Sequence, residues 1–442
     1  MATNRNILQC AVCGTLSCVR TLIGYLDQHP IRIYCGKCGI EIQGKVFIDQ
    51  KRATYRFEFA NAVDVGKGDL ESADYYMEAS GELLTLKLQR TPQGKVPPFV
   101  SPFFRAQAQM GVEGVEDFKK KVLPFIETAR NQWPAIKRIN DLWARGNNEF
   151  LRSELRKLLP EKIYPLTNRL ELLKGVRHTT IAVLYPLLDW RRFAPRVEYI
   201  HKHVKRSASI QPQKAIELAK EFSRKGLLER YRSMLLARID AFMEVFPYLI
   251  PVFSQPFFRR GFTREVYAEY GLSTCSLEDI KNFYSDTYED VLLMSRLAVA
   301  FNNLSTRGDH RVMAPRRKDV STLDDFDNLS KGSRLVFLSG HEQFDLLLNG
   351  ALNVGVRNAI AHNSITYDGR TQEVVYYPDG NKTGVKQERM YLLQFGELCR
   401  ESLYALVNLS ELALWTERLN FMAEGESPDY SAFLAMSGGA ST

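Results

Sequence analysis

Long uninterrupted apolar segments are missing from this 442-residue sequence. A helix that crosses a bilayer needs about 20 consecutive, predominantly apolar residues. The most apolar stretch of that length, residues 234–253, is interrupted by three charged side chains and a proline: Arg238, Asp240, Glu244 and Pro247. The first ten residues likewise contain no apolar run of the length found in secretory signals. We therefore expect a cytoplasmic protein without a membrane partner.

Motifs of several common enzyme classes are also absent. The sequence has no Gly-x-x-x-x-Gly-Lys-Ser/Thr phosphate loop, no Gly-x-Ser-x-Gly elbow and no His-Glu-x-x-His zinc motif. His341 and Glu342 are adjacent, but nothing nearby completes a set of metal ligands. His341 is therefore interpreted as a structural or capping residue. No repeat of fixed period is present, which argues against a repeat array.

The charge balance is only mildly basic. There are 59 Lys and Arg against 51 Asp and Glu, giving a formal net charge of +8 and a pI of about 9.0. Such an excess is compatible with a polyanionic partner without requiring one. The basic residues form short clusters at 119–121, 191–192, 201–206, 259–260 and 316–318. Each cluster on its own is interpreted as a solvated helix face or loop.

Cysteines are few but concentrated, since five of the seven precede residue 40. In a reducing compartment this concentration indicates metal binding rather than disulfides. Two Cys-x-x-Cys-Gly knuckles supply Cys10, Cys13, Cys35 and Cys38, with 21 residues between the two pairs. Four thiolates favour one structural Zn²⁺ in a closed tetrahedral site, so the spacing predicts a zinc ribbon. Cys18 or His29 could replace a ligand, and an iron–sulfur cluster is the alternative occupant.

The hydrophobic patterning divides the chain into successive regions and predicts a mostly α protein. Alternating residues predict strands at 45–49, 53–59 and 83–88, whereas three- and four-residue spacing predicts helices at 115–133, 135–159, 213–222 and 226–245. The segment 247–258, rich in proline and aromatics, is interpreted as a buried plug rather than as a base-stacking surface. The predicted regions are a zinc ribbon (1–45), a β-rich extension (46–91), a linker (92–114), a helical sensor or regulatory region (115–270), a C-terminal helical bundle (271–425) and a tail (426–442).

The predicted C-terminal bundle contains three helical segments separated by a loop and a hairpin. The helices are expected at 276–303, 342–361 and 388–418, and the hairpin pairs 373–377 with 383–386. The polar loop 305–325 supplies candidate nucleic-acid-binding cations, namely Arg307, Arg311, Arg316, Arg317 and Lys318.

The most informative motif lies near the end of the predicted helix 342–361. It reads Arg357-Asn358-Ala359-Ile360-Ala361-His362. Helical periodicity places Asn358 and His362 four residues apart on one face, with Arg357 beside them. Histidine can transfer a proton near neutral pH, and arginine can hold a phosphate through two parallel hydrogen bonds. These residue types in this arrangement suit phosphodiester chemistry. Helix capping by Asn358 and His362, with Arg357 in a surface ion pair, is the structural alternative.

The Arg-Asn-x-x-x-His pattern resembles the signature of the HEPN superfamily, helical bundles that include metal-independent ribonucleases of bacterial defence and toxin systems. The order of predicted elements in the last third of the chain is similar to that of a HEPN bundle. The resemblance implies a toxin-like endoribonuclease of antiphage (abortive-infection) or stress defence. Its substrate would be RNA, with tRNA as one candidate, and a regulatory protein or a phage-derived trigger would control it. It also implies a homodimer or higher oligomer, because each chain carries one motif.

The resemblance further implies a mechanism without metal. His362 would serve as general acid or base, Arg357 would neutralise charge on the phosphorane, and Asn358 would orient His362 or the substrate. Cleavage would leave 2′,3′-cyclic phosphate and 5′-hydroxyl ends. Glu289 and Asp290 are candidate supporting acids on the preceding helix. The alternative function is a non-catalytic HEPN-like module, with a structural zinc ribbon, that binds nucleic acid or a protein.

Overall fold

The computed structural model describes residues 2–49, 51–52, 54–66, 72–91, 100–259, 261–348, 350–378 and 386–428. Within these residues no helix combines the length and the apolar character that crossing a bilayer requires. The chain forms two compact units. A mixed unit comprises Met1–Val122, Ala241–Asp286 and Asn353–Arg400, and a helical unit comprises Leu123–Asp240, Thr287–Leu352 and Glu401–Thr442.

All named strands belong to the mixed unit. They are β1 (Ala2–Cys10), β2 (Leu16–Ile23), β3 (Gln28–Tyr34), β4 (Glu41–Asp49), β5 (Thr54–Ala60), β6 (Ala62–Asp64), β7 (Tyr75–Ser80), β8 (Thr85–Leu86), β9 (Gln89–Arg90), β10 (Tyr270–Gly271), β11 (Ile365–Asp368), β12 (Glu373–Tyr376) and β13 (Glu388–Tyr391). The predicted small N-terminal β region is therefore confirmed.

The strands form four sheets. A five-stranded sheet has the order β6-β1-β2-β7-β9, in which β2 and β7 are parallel and the other pairs are antiparallel. Antiparallel three-stranded sheets have the orders β3-β4-β5 and β11-β12-β13, and β8 pairs with β10. Alternate residues of the first two sheets meet in one core that includes Leu8, Val19, Ile31 and Val46. This core supports the cysteine knuckles, because Cys10 and Cys35 are part of it.

Helices dominate the rest of the chain, and the prediction of a mostly α protein is confirmed. They are α1 (Pro102–Ala144), α2 (Asn148–Leu158), α3 (Arg169–Ala182), α4 (Trp190–Ile210), α5 (Pro212–Arg224), α6 (Leu227–Leu249), α7 (Arg264–Glu269), α8 (Leu277–Arg307), α9 (Leu323–Asn328), α10 (Lys331–Arg334), α11 (Glu342–Leu348), α12 (Val354–Ala361) and α13 (Leu392–Ala423), with 3-10 helices at Ile250–Phe257 and Leu335–Leu338. Both units contain residues of α1, α6, α8 and α13.

The first predicted helix break is in the wrong place. A break was expected at Pro134, but α1 continues through Pro124 and Pro134 and ends at Ala144. The helix stops there because Gly146 adopts a positive φ of 67°. The N–H groups of Gly146 and Asn147 then donate to the carbonyls of Trp143 and Leu142, the pattern of a Schellman cap. Helix α1 also begins at Pro102, inside the segment 92–114 that is predicted to be a linker, but it is interrupted at Gly111, whose φ of 76° and ψ of 166° are not helical. Residues 92–99 lie outside the described residues.

Two C-terminal elements also differ from the prediction. The single helix expected at 342–361 is two helices, α11 and α12, separated around Gly350, whose φ is 72°. The first residues of the helix expected at 388–418 instead form strand β13, which pairs with β12. The expected partner strand, 383–386, lies largely outside the described residues. Strand β12 also pairs with β11, so the first strand of the predicted hairpin is the middle strand of a three-stranded sheet.

The middle of the segment 247–258 is buried, whereas Pro247 and Pro256 are exposed and Phe257 and Phe258 are half-buried. The segment forms the end of α6 and the 3-10 helix Ile250–Phe257, in which Ile250, Val252 and Phe253 are at most 5% exposed. Burial of these apolar side chains stabilises the core of the protein, so they are not available to stack on bases.

Candidate metal centre and candidate active site

The two cysteine knuckles have the same backbone geometry. In the first, the N–H of Gly14 donates to the carbonyl of Cys10 at 2.9 Å; in the second, Gly39 donates to Cys35 at 2.9 Å. Gly14 and Gly39 have φ values of 71° and 74°, which explains why glycine follows each Cys-x-x-Cys pair. Each tight turn aims two thiols in the same direction. The two turns face each other at the margin of the core shared by the N-terminal sheets.

The four predicted cysteine ligands converge. The Sγ atoms of Cys10, Cys13, Cys35 and Cys38 all lie within 4.8 Å of one another. Between the knuckles, Cys10 Sγ is 3.6 Å from Cys38 Sγ, and Cys13 Sγ is 3.5 Å from Cys35 Sγ. In the described part of the chain, no other group of His, Cys, Asp and Glu has this potential to hold a metal ion. Neither Cys18 nor His29 belongs to the cluster.

The local environment favours a thiolate at Cys13. Its Sγ atom lies 3.3 Å from the hydroxyl of Thr15. Hydrogen bonding from the Thr15 side chain and backbone lowers the pKa of Cys13 to about 6. Burial, in contrast, raises the pKa of Cys35 to about 12. Because metal ions bind thiolates and not thiols, binding of a metal would release the proton of this ligand.

The Arg-Asn-x-x-x-His motif lies on α12, a helix of eight residues with a defined start. Asn353 is the N-cap, and its side-chain oxygen accepts a hydrogen bond from the N–H of Val356 at 3.0 Å. The hydroxyl of Tyr284, a buried side chain on α8, accepts from the N–H of Asn353 at 3.1 Å. These two contacts fix the beginning of α12 against a long helix of the same unit.

The end of α12 is fixed by a Schellman cap. Asn363 adopts the left-handed conformation with a φ of 50°, which asparagine tolerates better than most residues. Its N–H donates to the carbonyl of Ile360 at 3.2 Å, and the N–H of Ser364 donates to that of Ala359 at 2.8 Å. This cap makes His362 the last residue of the turn, at the C-cap position. The orphan carbonyls are therefore satisfied by the backbone and not by the imidazole.

The three motif side chains have different environments. Arg357 and Asn358 are half-buried, and Arg357 Nη1 donates to Asn358 Oδ1 at 3.1 Å. His362 is exposed, and its imidazole has no hydrogen bond, ion pair or ring contact with any described residue. The capping interpretation of the His362 side chain therefore has no support. The arrangement places an exposed imidazole at the end of the helix that carries the hydrogen-bonded guanidinium–amide pair.

Hydrogen bonds between residues that flank β11 and β12 fix the C-terminal end of α12. Ser364 Oγ donates to the carbonyl of Tyr377 at 3.1 Å, and the N–H of Tyr377 donates back to the Ser364 carbonyl at 3.1 Å. Glycine at 355 allows a close approach, because an added Cβ would lie 3.2 Å from Pro378. The motif helix thus packs against the sheet β11-β12-β13 through its own flanking residues.

The candidate supporting acids, Glu289 and Asp290, lie on the part of α8 that belongs to the helical unit, whereas the motif belongs to the mixed unit. Lys331 Nζ is 2.7 Å from Glu289, and Arg238 Nε is 2.9 Å from Asp290. Both carboxylates therefore take part in ion pairs inside the helical unit. Their predicted support of His362 stays a prediction.

Most of the predicted nucleic-acid-binding cations in the loop 305–325 make contacts within the protein. Arg307 donates to the carbonyl of Val312, Arg316 to that of Val336, and Arg317 to the carboxylate of Asp319. Arg311 donates to buried Glu221 through both Nε and Nη2, at 2.9 and 2.7 Å. Lys318 is exposed and makes no ion pair with the described residues. Each of the four arginines thus has a contact within the described part of the chain, and their binding of nucleic acid stays a prediction.

Two residues that position the motif were not identified from the sequence. Asn353 begins the helix and Asn363 ends it, and each residue type is common at the position that it occupies. An asparagine on either side of an eight-residue apolar-periodic segment is the signal that could have placed both ends of α12.

Comparisons with protein-family models, with curated proteins and with solved structures give no match to this chain. The following proposals therefore depend on the geometry of its own residues and on the resemblance of its motif.

Proposed function

We propose that this protein is a metal-independent endoribonuclease of the HEPN type. The observation that carries the proposal is the exposed His362 imidazole at the end of α12, on the same short helix as the hydrogen-bonded pair Arg357 and Asn358. A histidine used only for capping or packing would have a partner, whereas a proton-transfer group must be accessible to substrate.

The reaction requires only proton transfer and charge stabilisation. The 2′-oxygen of one nucleotide attacks the adjacent phosphorus and forms the O2′–P bond, while a general base takes the 2′-hydroxyl proton. The P–O5′ bond breaks, and a general acid gives a proton to the leaving oxygen. The products are a 2′,3′-cyclic phosphate and a 5′-hydroxyl. His362 is the residue proposed to exchange a proton with O2′ or O5′.

Arg357 is proposed to stabilise the negative charge that develops on the phosphorane oxygens. Its Nη1 bond to Asn358 orients the planar guanidinium before substrate arrives, and preorganised donors of this type contribute most to such stabilisation. Asn358 then acts by orienting Arg357, which is a more specific role than the sequence pattern alone suggests.

One motif per chain supplies one histidine, whereas the reaction uses both a base and an acid. We therefore propose a homodimer in which two α12 ends contribute to one cleft. Light scattering on the active protein is expected to give at least twice the chain mass. A monomer at concentrations at which RNA is cleaved would exclude a shared cleft.

The cysteine cluster is proposed to hold one structural Zn²⁺. With Zn–S bonds of about 2.3 Å, tetrahedral geometry places sulfur atoms about 3.8 Å apart. Two of the separations, 3.5 and 3.6 Å, lie slightly below this value, and all of them are within 4.8 Å. Because four protein ligands leave no open position, the metal would stabilise the knuckles and take no part in cleavage.

The biological role proposed is a toxin-like ribonuclease of bacterial antiphage or stress defence, with residues 115–270 as sensor or regulator. Its substrate would be an RNA such as tRNA. A regulatory protein or a phage-derived trigger would control the activity.

The test is incubation of the purified protein with total RNA and with tRNA in EDTA, followed by analysis of the new ends. The proposal predicts cleavage that leaves cyclic phosphates and that His362→Ala abolishes while RNA binding remains. Binding without any cleavage by the unmodified protein would instead favour a non-catalytic RNA-binding module.

A further inference from the structure

The exposed face of α4 has the composition of a nucleic-acid-binding surface. This helix of 21 residues, Trp190–Ile210, contains six Lys and Arg residues and a single acidic residue, Glu198. Two of the basic clusters noted in the sequence, at 191–192 and 201–206, are therefore on one helix. Arg191, Lys202, Lys205 and Arg206 are all exposed.

Three of these cations form no ion pair with any residue that the structure describes. Lys202 is 2.6 Å from Glu198 and Arg192 is 3.2 Å from Glu401. Arg191, Lys205 and Arg206 make no ion pair with the described residues. This differs from the loop 305–325, whose four arginines donate to carbonyls and carboxylates of the same chain. Arg191, Lys205 and Arg206 of α4 are therefore available to bind phosphates.

Aromatic rings accompany these charges. Trp190, the first residue of α4, is 50% exposed, although its ring centroid lies 5.3 Å from that of Tyr185 and 5.5 Å from that of Phe193. Contacts with two rings hold the indole in place, yet half of its surface still faces water. The exposed half of the indole is therefore available to stack on another ring.

A second aromatic site lies farther along the helix. The exposed His201 stacks on Trp415 of α13, with ring centroids 4.4 Å apart and an angle of 17° between the planes. The guanidinium of Arg418 lies 4.5 Å from the Trp415 ring centroid. Residues 190 and 201 are separated by about three helical turns, so they project from the same side of α4 roughly 16 Å apart.

We propose that this face of α4, defined by Trp190, Arg191, His201, Lys205 and Arg206, binds single-stranded RNA. The inference rests on the proposed ribonuclease function and identifies a surface that would hold the substrate. The cations can form ionic contacts with the phosphate backbone, and the exposed rings of Trp190 and His201 can stack on unpaired bases. A duplex would not expose its bases for stacking, which is why the single strand is the expected ligand.

Binding is best measured on the full-length His362→Ala protein in EDTA, so that RNA is not cut. Fluorescence anisotropy with a labelled uridine oligonucleotide would report the dissociation constant over a range of salt concentrations. Combined Arg191→Ala, Lys205→Ala and Arg206→Ala should weaken binding and reduce the slope of log affinity against log salt by about 2, since each phosphate contact contributes about 0.7. Trp190→Ala should weaken binding about 5- to 100-fold, whereas Trp190→Phe should retain most of it.

A matched control removes three other exposed cations, Lys51, Lys162 and Lys386, and should change the slope much less. Equal effects of the two triple variants would overturn the inference, as would full binding by Trp190→Ala. Binding to anionic vesicles but not to the oligonucleotide would also overturn it. If the unmodified protein binds the oligonucleotide through α4 but cleaves no RNA, the proposed function fails and the surface remains. If the unmodified protein cleaves RNA and the α4 variants bind the oligonucleotide as well as their parent, the α4 binding surface is rejected and the proposed ribonuclease function is kept.

Discussion

The cysteine cluster and the end of α12 belong to the same unit but are built in opposite ways. Four cysteines from two knuckles that are 21 residues apart in sequence converge until their sulfur atoms lie within 4.8 Å of one another. At α12, local backbone hydrogen bonds complete the turn and leave the His362 side chain without a described partner. The first arrangement is closed and suits a structural ion. The second is open and suits chemistry on an external substrate.

Because of this difference, the stability of the fold should depend on the cysteine cluster, whereas cleavage activity should depend on the end of α12. Changes in the cluster should unfold the N-terminal sheets, because its ligands are part of their core. Changes at the exposed histidine should abolish cleavage and leave the fold intact. Each of the following predictions tests one side of this division.

The largest effect is expected from loss of the metal. Combined Cys35→Ser and Cys38→Ser should abolish zinc binding, which in small zinc modules contributes about 10–16 kcal/mol to folding. Elemental analysis should give one zinc per chain for the unmodified protein and none for the variant, with loss of β structure by circular dichroism. Cys18→Ala, outside the cluster, should keep the zinc. Unmodified protein that is purified fresh without zinc would refute the assignment.

The next largest effect concerns His362. His362→Ala should reduce the cleavage rate by about 10²–10⁴-fold, the usual contribution of a general acid or base. The melting temperature should hardly change, because the side chain is exposed. His341→Ala provides a matched control, since His341 is also exposed and lies next to the helix α11. Comparable losses of activity in the two variants would show that the motif histidine has no special role.

Arg357 provides a smaller and more specific test. Arg357→Ala should reduce cleavage by about 10²–10³-fold, as removal of one charge-stabilising donor does. Arg357→Lys keeps the charge but loses the planar fork that bonds Asn358, so it should recover only part of the rate. Asn358→Ala should reduce the rate less than Arg357→Ala, if it acts only by orienting the guanidinium. Full activity of the Arg357→Ala variant would show that Arg357 takes no part in the mechanism.

The sequence predicted the two sites to different degrees. The cysteine pairs, each followed by glycine, were sufficient to place four ligands that are far apart in the chain. The motif identified Arg357, Asn358 and His362, but the helix on which they lie was expected to be much longer. Apolar residues continue at helical spacing across Gly350, so periodicity alone could not show that α11 and α12 are separate.

Long-range contacts explain the remaining differences. Residues 388–391 have a helical pattern in sequence, yet they form β13 because β12 offers a strand edge with which to pair. The loop arginines looked like phosphate ligands, but Arg311 reaches Glu221, which is distant in sequence and buried. Charge patterns do not reveal such partners. The structure is needed to show that the loop arginines make contacts within the chain, whereas Arg191, Lys205 and Arg206 of α4 form no ion pair with the described residues.

The smallest effect is expected at Asn363, which shapes the open site without contacting substrate. Asn363→Val should destabilise the cap by about 1–2 kcal/mol, because a β-branched residue resists the left-handed conformation. Asn363→Gly should be tolerated, since glycine is favoured at this position. Thermal melting and cleavage assays should show a lower rate for Asn363→Val and near-normal values for Asn363→Gly. Equal behaviour of the two variants would mean that this turn does not position His362.

The most direct test of the proposed chemistry is cleavage of an RNA that carries a single 2′-deoxynucleotide at the site of cutting. The reaction should be carried out in EDTA, with retention of zinc checked by elemental analysis. If His362 promotes attack by the 2′-hydroxyl, the deoxy substrate should resist cleavage at that position while the matched all-ribose substrate yields a 2′,3′-cyclic phosphate. Equal cleavage of both substrates, or activity lost in EDTA while the zinc stays bound, would contradict a metal-independent HEPN mechanism.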